Sequence, residues 1–106
     1  MKKTKCFGME DWNDIENRVA PYFGTQPLAL ATDRAALHAL LQQWIYQLLD
    51  QQPEQLAQLM YRLDVAEPLF QAALYASQGL PEAASRVADL VIDRELQRLA
   101  LRRRFS

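Results

Sequence analysis

Between Asp33 and Asp50 the apolar residues Leu37, Leu40, Leu41, Trp44, Ile45, Leu48 and Leu49 recur at i, i+3, i+4, i+7 and i+8, and the series continues for a further turn. This period belongs to an α-helix, and the stripe is wide enough that a helix carrying it must be covered by other elements. Thr32 or Asp33 is placed to cap its start.

Shorter pieces of the same pattern follow and precede it, separated by breakers. Trp12, Ile15, Val19, Tyr22 and Phe23 share helical spacing, with Asp11 as the expected N-cap and Pro21 and Gly24 marking the end. Residues 25–31 have no helical period and read as an extended connector that lays Leu28 and Leu30 onto the bundle. Pro53 suits the first position of a helix that buries Leu56, Leu59, Met60 and Leu63. Asp64-Val65-Ala66-Glu67 has the form of a capping box, opening a helix that buries Leu69, Phe70, Ala73 and Leu74. Gly79 fits a left-handed turn and Pro81 the first turn of a final helix running to about Arg103.

Composition agrees with this reading. Leu, Ala and Gln supply 17, 15 and 11 residues of the 106, whereas Val, Ile and Thr together supply 10, and the first group favours helices while the second favours strands. The expectation is an all-α fold: a small helical bundle of four to five helices with a long C-terminal helix. Residues 1–8 read as a flexible leader and 9–106 as a single helical-bundle domain, in which residues from about 33 to 103 form a four-helix core and a shorter N-terminal helix packs across it.

The formal net charge of −1 conceals a segregation. Lys2, Lys3 and Lys5 give the first five residues +3, and Arg94, Arg98, Arg102, Arg103 and Arg104 against Glu95 give residues 94–106 a charge of +4. The body between them holds 12 carboxylates and only Arg18, Arg34, Arg62 and Arg86, which is −8. An acidic body with basic ends can neutralise itself, neutralise a second copy, or present its ends to an anionic partner.

In the last helix Ala88, Val91, Ile92, Leu96 and Leu99 form one apolar face, while Leu90 and Leu101 fall on the far side beside Val87. A helix apolar on two sides needs neighbours on two sides, and the second neighbour is expected to be a symmetry mate. Arg94, Arg98 and Arg102 line one face at i, i+4 and i+8, where like charges repel mildly and need compensation. The helix C-terminus, Glu95 at i+3 from Arg98, or the acidic first helix would supply it without any partner. Tyr46 and Tyr61 lie off the stripes of their helices and read as interface residues. The expected interface is therefore Tyr46, Tyr61, Val87, Leu90, Arg94, Arg98, Leu101 and Arg102. The alternative is a set of phosphate contacts by Arg94, Arg98, Arg102, Arg103 and Arg104 on a nucleic acid. It is weakened by a pI of 5.8 and by few interleaved aromatics.

Other sites read as ordinary structure. Residues 55–75 have the outline of a helix-turn-helix, but no Lys or Arg occurs from Leu63 to Leu80, so the second helix has no donors for phosphates. His38 is the single histidine, which excludes a histidine pair for zinc and reads as a partly buried bundle residue. Cys6 lies near Lys3 and Lys5 with no positioned base, and a lone cysteine forms no intramolecular disulfide. Asp89 and Asp93, one turn apart, with Ser85 one turn before Asp89, read as solvated helix-face groups. Trp12, Trp44, Tyr22, Phe23, Tyr46, Tyr61 and Phe70 could line a pocket, although core packing is the better reading for Trp44 and Phe70. The glycines at 8, 24 and 79 form no phosphate loop. No apolar run approaches the roughly 20 residues of a membrane span, and no apolar segment follows the early lysines as in a signal peptide. These readings lead to a cytoplasmic, non-enzymatic protein without cofactor or metal. Its expected partner is a second copy of itself or another protein, with nucleic acid second and no membrane span.

Overall fold

The computed structural model describes residues 7–105, so Lys2, Lys3, Lys5 and Cys6 of the expected leader lie outside the described residues, as does Ser106. Among the described residues the fold is all-α, with α1 Met9–Val19, a 3-10 turn Ala20–Phe23, α2 Arg34–Gln51, α3 Pro53–Arg62, α4 Glu67–Ala76 and the long α5 Leu80–Phe105. The chain divides into two compact units, Met1–Leu40 and Leu41–Ser106, with the division falling inside α2.

In the first unit, the cap of α1 lies three residues earlier than its sequence pattern indicates. Gly8 is the N-cap, and Asp11 sits at N3, where its Oδ2 accepts the Gly8 N–H at 2.9 Å. Asp11 thus satisfies an amide before the helix instead of capping the helix itself. Trp12, Ile15 and Val19 are buried, and Phe7 meets Trp12 edge-on with ring centroids 6.0 Å apart. Gly24 takes the left-handed conformation (φ 71°) that ends the 3-10 turn.

Glu16 is 1% exposed, and its two carboxylate oxygens accept the Leu28 N–H at 2.8 Å and the Ala31 N–H at 2.9 Å. A buried carboxylate needs such donors, and two amides of an irregular connector need such acceptors. The two bonds hold the backbone on either side of Ala29, whose φ of 56° is unusual for a residue with a Cβ. The connector is therefore fixed by its backbone and not by its leucines. Leu28 and Leu30, expected to pack inward, are 68% and 53% exposed. Asp33 caps α2 as expected, its Oδ1 accepting the Ala36 N–H at 2.9 Å.

In the second unit, α3 begins at Pro53 and buries Leu56, Leu59 and Met60, with Leu63 just beyond it. α4 packs on α3 and on α5 through Phe70 and Ala73. Leu69, expected in that buried face, is 55% exposed. The turn at Gly79 is also built differently from expectation. Ser77 ends α4 with its Oγ donating to the Ala73 carbonyl at 2.7 Å, and Gly79 is not left-handed but accepts the Ala83 N–H, opening α5. Glu82 then accepts the Gln78 N–H at 3.1 Å and pairs with Arg86 at 2.8 Å.

α5 buries Ala84, Val87, Ala88, Val91, Ile92, Glu95 and Leu99. Val87 is 0% exposed, which removes it from the expected outer face: its position joins the buried stripe and not the surface. Past Leu99, residues 100–104 are all exposed.

Candidate functional site

The arginine row of α5 meets the turn between α3 and α4. Leu63 ends α3, and Asp64 follows in the left-handed conformation with φ 64°. The Val65 N–H donates to the Met60 carbonyl at 3.0 Å and the Asp64 N–H to the Tyr61 carbonyl at 3.1 Å, which is a Schellman closure. Asp64 is therefore the left-handed stop of α3, and Ala66 is the residue preceding α4. Its short polar side chain suits either role, since Asp and Asn tolerate that backbone region better than other residues with a Cβ.

Arg94 and Arg98 reach this turn from α5. Arg98 donates from its terminal nitrogen to Asp64 Oδ2 at 3.1 Å. Arg94 lies 3.6 Å from the same oxygen and donates through Nε to the Asp64 carbonyl at 3.1 Å. A further Arg94 nitrogen donates to Gln97 Oε1 at 3.3 Å, and Arg98 Nε lies 3.4 Å from Glu95 Oε2. One carboxylate thus bridges two guanidiniums one turn apart, which relieves their repulsion and ties the α3–α4 turn to α5. The compensation predicted for the row is present for these two residues. The Arg98–Glu95 pair was legible from its i, i+3 spacing, whereas Asp64, more than thirty residues away in sequence, was not.

Arg102, Arg103 and Arg104 lie on the exposed last turns of α5, where Leu101 is 47% exposed. Leu90 is half-buried. Tyr46 and Tyr61, on α2 and α3, are 40% and 83% exposed. Tyr61 also lines a groove of about 530 Å³ between α3 and α4, floored by Met60, Val65 and Phe70 with Gln58, Arg62, Glu67 and Gln71 among its walls. Of the seven aromatics read from the sequence as possible pocket residues, Tyr61 and Phe70 line this groove; its other walls are not legible because α3 and α4 each present an ordinary buried stripe.

The remaining candidates are dispersed. His38 and Trp44 are half-buried on α2, and Tyr22 lies under the Arg18 guanidinium at 5.9 Å. Asp89 and Ser85 are half-buried and Asp93 is exposed. Among the described residues no group of three His, Cys, Asp or Glu side chains is placed to hold a metal ion, and no helix is long and apolar enough to cross a membrane. No protein-family model, curated protein or solved structure matches the chain.

Proposed function

We propose that the protein is a non-enzymatic interaction protein that self-associates through the C-terminal end of α5. The observation that carries this reading is the continuation of the helix past Leu99, the last buried residue among those described, with Leu101, Arg102, Arg103 and Arg104 exposed. Arg94 and Arg98 belong to the expected interface but are engaged by Asp64 within the chain. The contact surface therefore narrows to the last turns, with Leu101 as its apolar element and the arginines as its charge. A second copy offers the complementary sign, because the body carries an excess of eight negative charges.

A second reading rests on the same exposed arginines as phosphate contacts on nucleic acid. With Arg94 and Arg98 engaged by Asp64, fewer than the five arginines of the row would reach phosphates, so the salt dependence of binding would be shallow. Replacing Arg102, Arg103 and Arg104 with Glu distinguishes the two. Self-association predicts that the wild type is larger than one chain by light scattering after gel filtration in low salt, and that the triple variant elutes as a single chain. A wild type that remains one chain in mass, while shifting the anisotropy of a labelled oligonucleotide, overturns it in favour of phosphate binding.

A further inference from the structure

We infer that residues 26–32 form a strap that Glu16 latches to α1, and that the strap opens as one unit while the helices on either side of it stay folded. Open, it uncovers the Glu16 carboxylate, which closure keeps 1% exposed.

The two ends of the strap are fixed by bonds of their own. On one side the Gly24 N–H donates to the Pro21 carbonyl at 3.0 Å and the Thr25 N–H to the Ala20 carbonyl at 3.2 Å. On the other, the Asp33 carbonyl accepts the Leu37 N–H at 3.1 Å and its Oδ1 accepts the Ala36 N–H at 2.9 Å. Neither set involves residues 26–32, so both survive when these lift away.

Between its ends the segment has little hold of its own. Residues 26–30 and Thr32 are exposed, and Ala31, 0% exposed, is the one side chain it buries. An alanine brings a single methyl group to the core, a small apolar anchor. Residues 26–32 carry no charge, and Pro27 has no N–H to donate. At Ala29 the positive φ of 56° stores conformational energy that opening releases. Few buried apolar contacts and a strained residue mark a segment that opens well before the whole chain unfolds.

One side chain opposes that opening. Glu16 Oε2 accepts the Leu28 N–H at 2.8 Å and Oε1 the Ala31 N–H at 2.9 Å. Hydrogen bonds to a carboxylate are roughly twice as strong as those between neutral groups. Both amides lie on one short segment and each meets a different oxygen of the same planar group. Displacing one amide therefore swings the backbone that carries the other, and the two bonds are lost together.

Amide hydrogen exchange of the full chain through a series of low urea concentrations, read by NMR, tests the latch. In the wild type the Leu28 and Ala31 amides should share one protection factor, at least about tenfold below that of Ile92 in the buried face of α5, and it should stay flat while that of Ile92 falls with urea. Glu16→Gln keeps one acceptor oxygen and turns an NH2 group toward the second amide. The variant should retain wild-type helicity by circular dichroism and lower both protection factors by the same factor, about tenfold or more. A fall at one amide alone would show two independent bonds and overturn the latch. Protection at both amides that tracks Ile92 throughout the series would show that the segment opens only with the whole chain. A Glu16→Gln chain without helical structure overturns the inference as well, because a strap that opens locally leaves a folded chain behind.

Discussion

Replacing Asp64 separates the two roles that the structure gives it. Its carboxylate holds Arg98 at 3.1 Å and Arg94 at 3.6 Å, and its backbone is left-handed. The side chains are 60%, 33% and 29% exposed for Asp64, Arg98 and Arg94, so each pair is screened and worth roughly 0.2–1 kcal/mol. Asp64→Asn removes the charge and keeps a residue that accepts the left-handed region, which costs about 1 kcal/mol in total. Asp64→Ala also removes the short polar side chain that makes the left-handed region tolerable, a further 1 kcal/mol or about 2 kcal/mol overall. Asp64→Gly loses the pairs but relieves the strain, and it should fall between wild type and the Asn variant. Urea unfolding at low salt orders the four proteins, and a 1 kcal/mol loss should lower Tm by about 4–8 °C in a domain of this size. In roughly 1 M salt the Asn deficit shrinks while the Ala–Gly difference persists, because only the first is Coulombic. An Asn variant as stable as wild type at low salt would refute the bridging role, and an Ala variant no worse than Asn would refute the backbone role.

Other substitutions probe the rest of the fold. Glu16→Ala leaves the Leu28 and Ala31 amides without their acceptors and should cost about 2–3 kcal/mol by chemical denaturation. Ala29→Gly relieves a positive φ and should stabilise by about 1 kcal/mol, which thermal unfolding measures. Ile92→Ala empties a fully buried site and should cost about 2–5 kcal/mol, whereas Tyr61→Ala, at a highly exposed site, should leave monomer stability unchanged within roughly 0.5 kcal/mol. The Gln78 amide, and then Arg86, hold the Glu82 carboxyl below its usual value of 4.5. Its folded value is the lower one, so its contribution is present above about pH 4.5 and is lost as pH falls through that lower value. Glu82→Gln should accordingly flatten the acid limb of a stability–pH curve.

Helix positions were legible because the signals that set them are local. Pro53 begins α3, Asp33 caps α2 and Gly24 ends the first turn, each through geometry confined to a few residues. Sequence and structure part where one local pattern serves two conformations. Asp64 has the chemistry of an N-cap and of a left-handed stop, and the structure that contains the second also brings Arg94 and Arg98 to it from α5. Gly79 is compatible with either hand, and here it opens α5. The apolar character of Leu28 and Leu30 predicts burial, yet the connector is held by the two amides that donate to Glu16, which no hydropathy pattern records. Val87 shows the same dependence on tertiary packing: periodicity places it at the edge of the stripe, and burial decides to which side it belongs. The arginine row was visible in the sequence, but its division into two residues engaged by Asp64 and three exposed ones follows from the fold.

Sedimentation equilibrium of the full chain, over a wide concentration range at about 50 mM and 500 mM salt, tests self-association most directly, since salt weakens contacts between exposed charges. The account predicts a mass rising toward twice the 12.2 kDa of one chain, at lower concentration in the lower salt. A mass of 12.2 kDa at every concentration in both salts would contradict it.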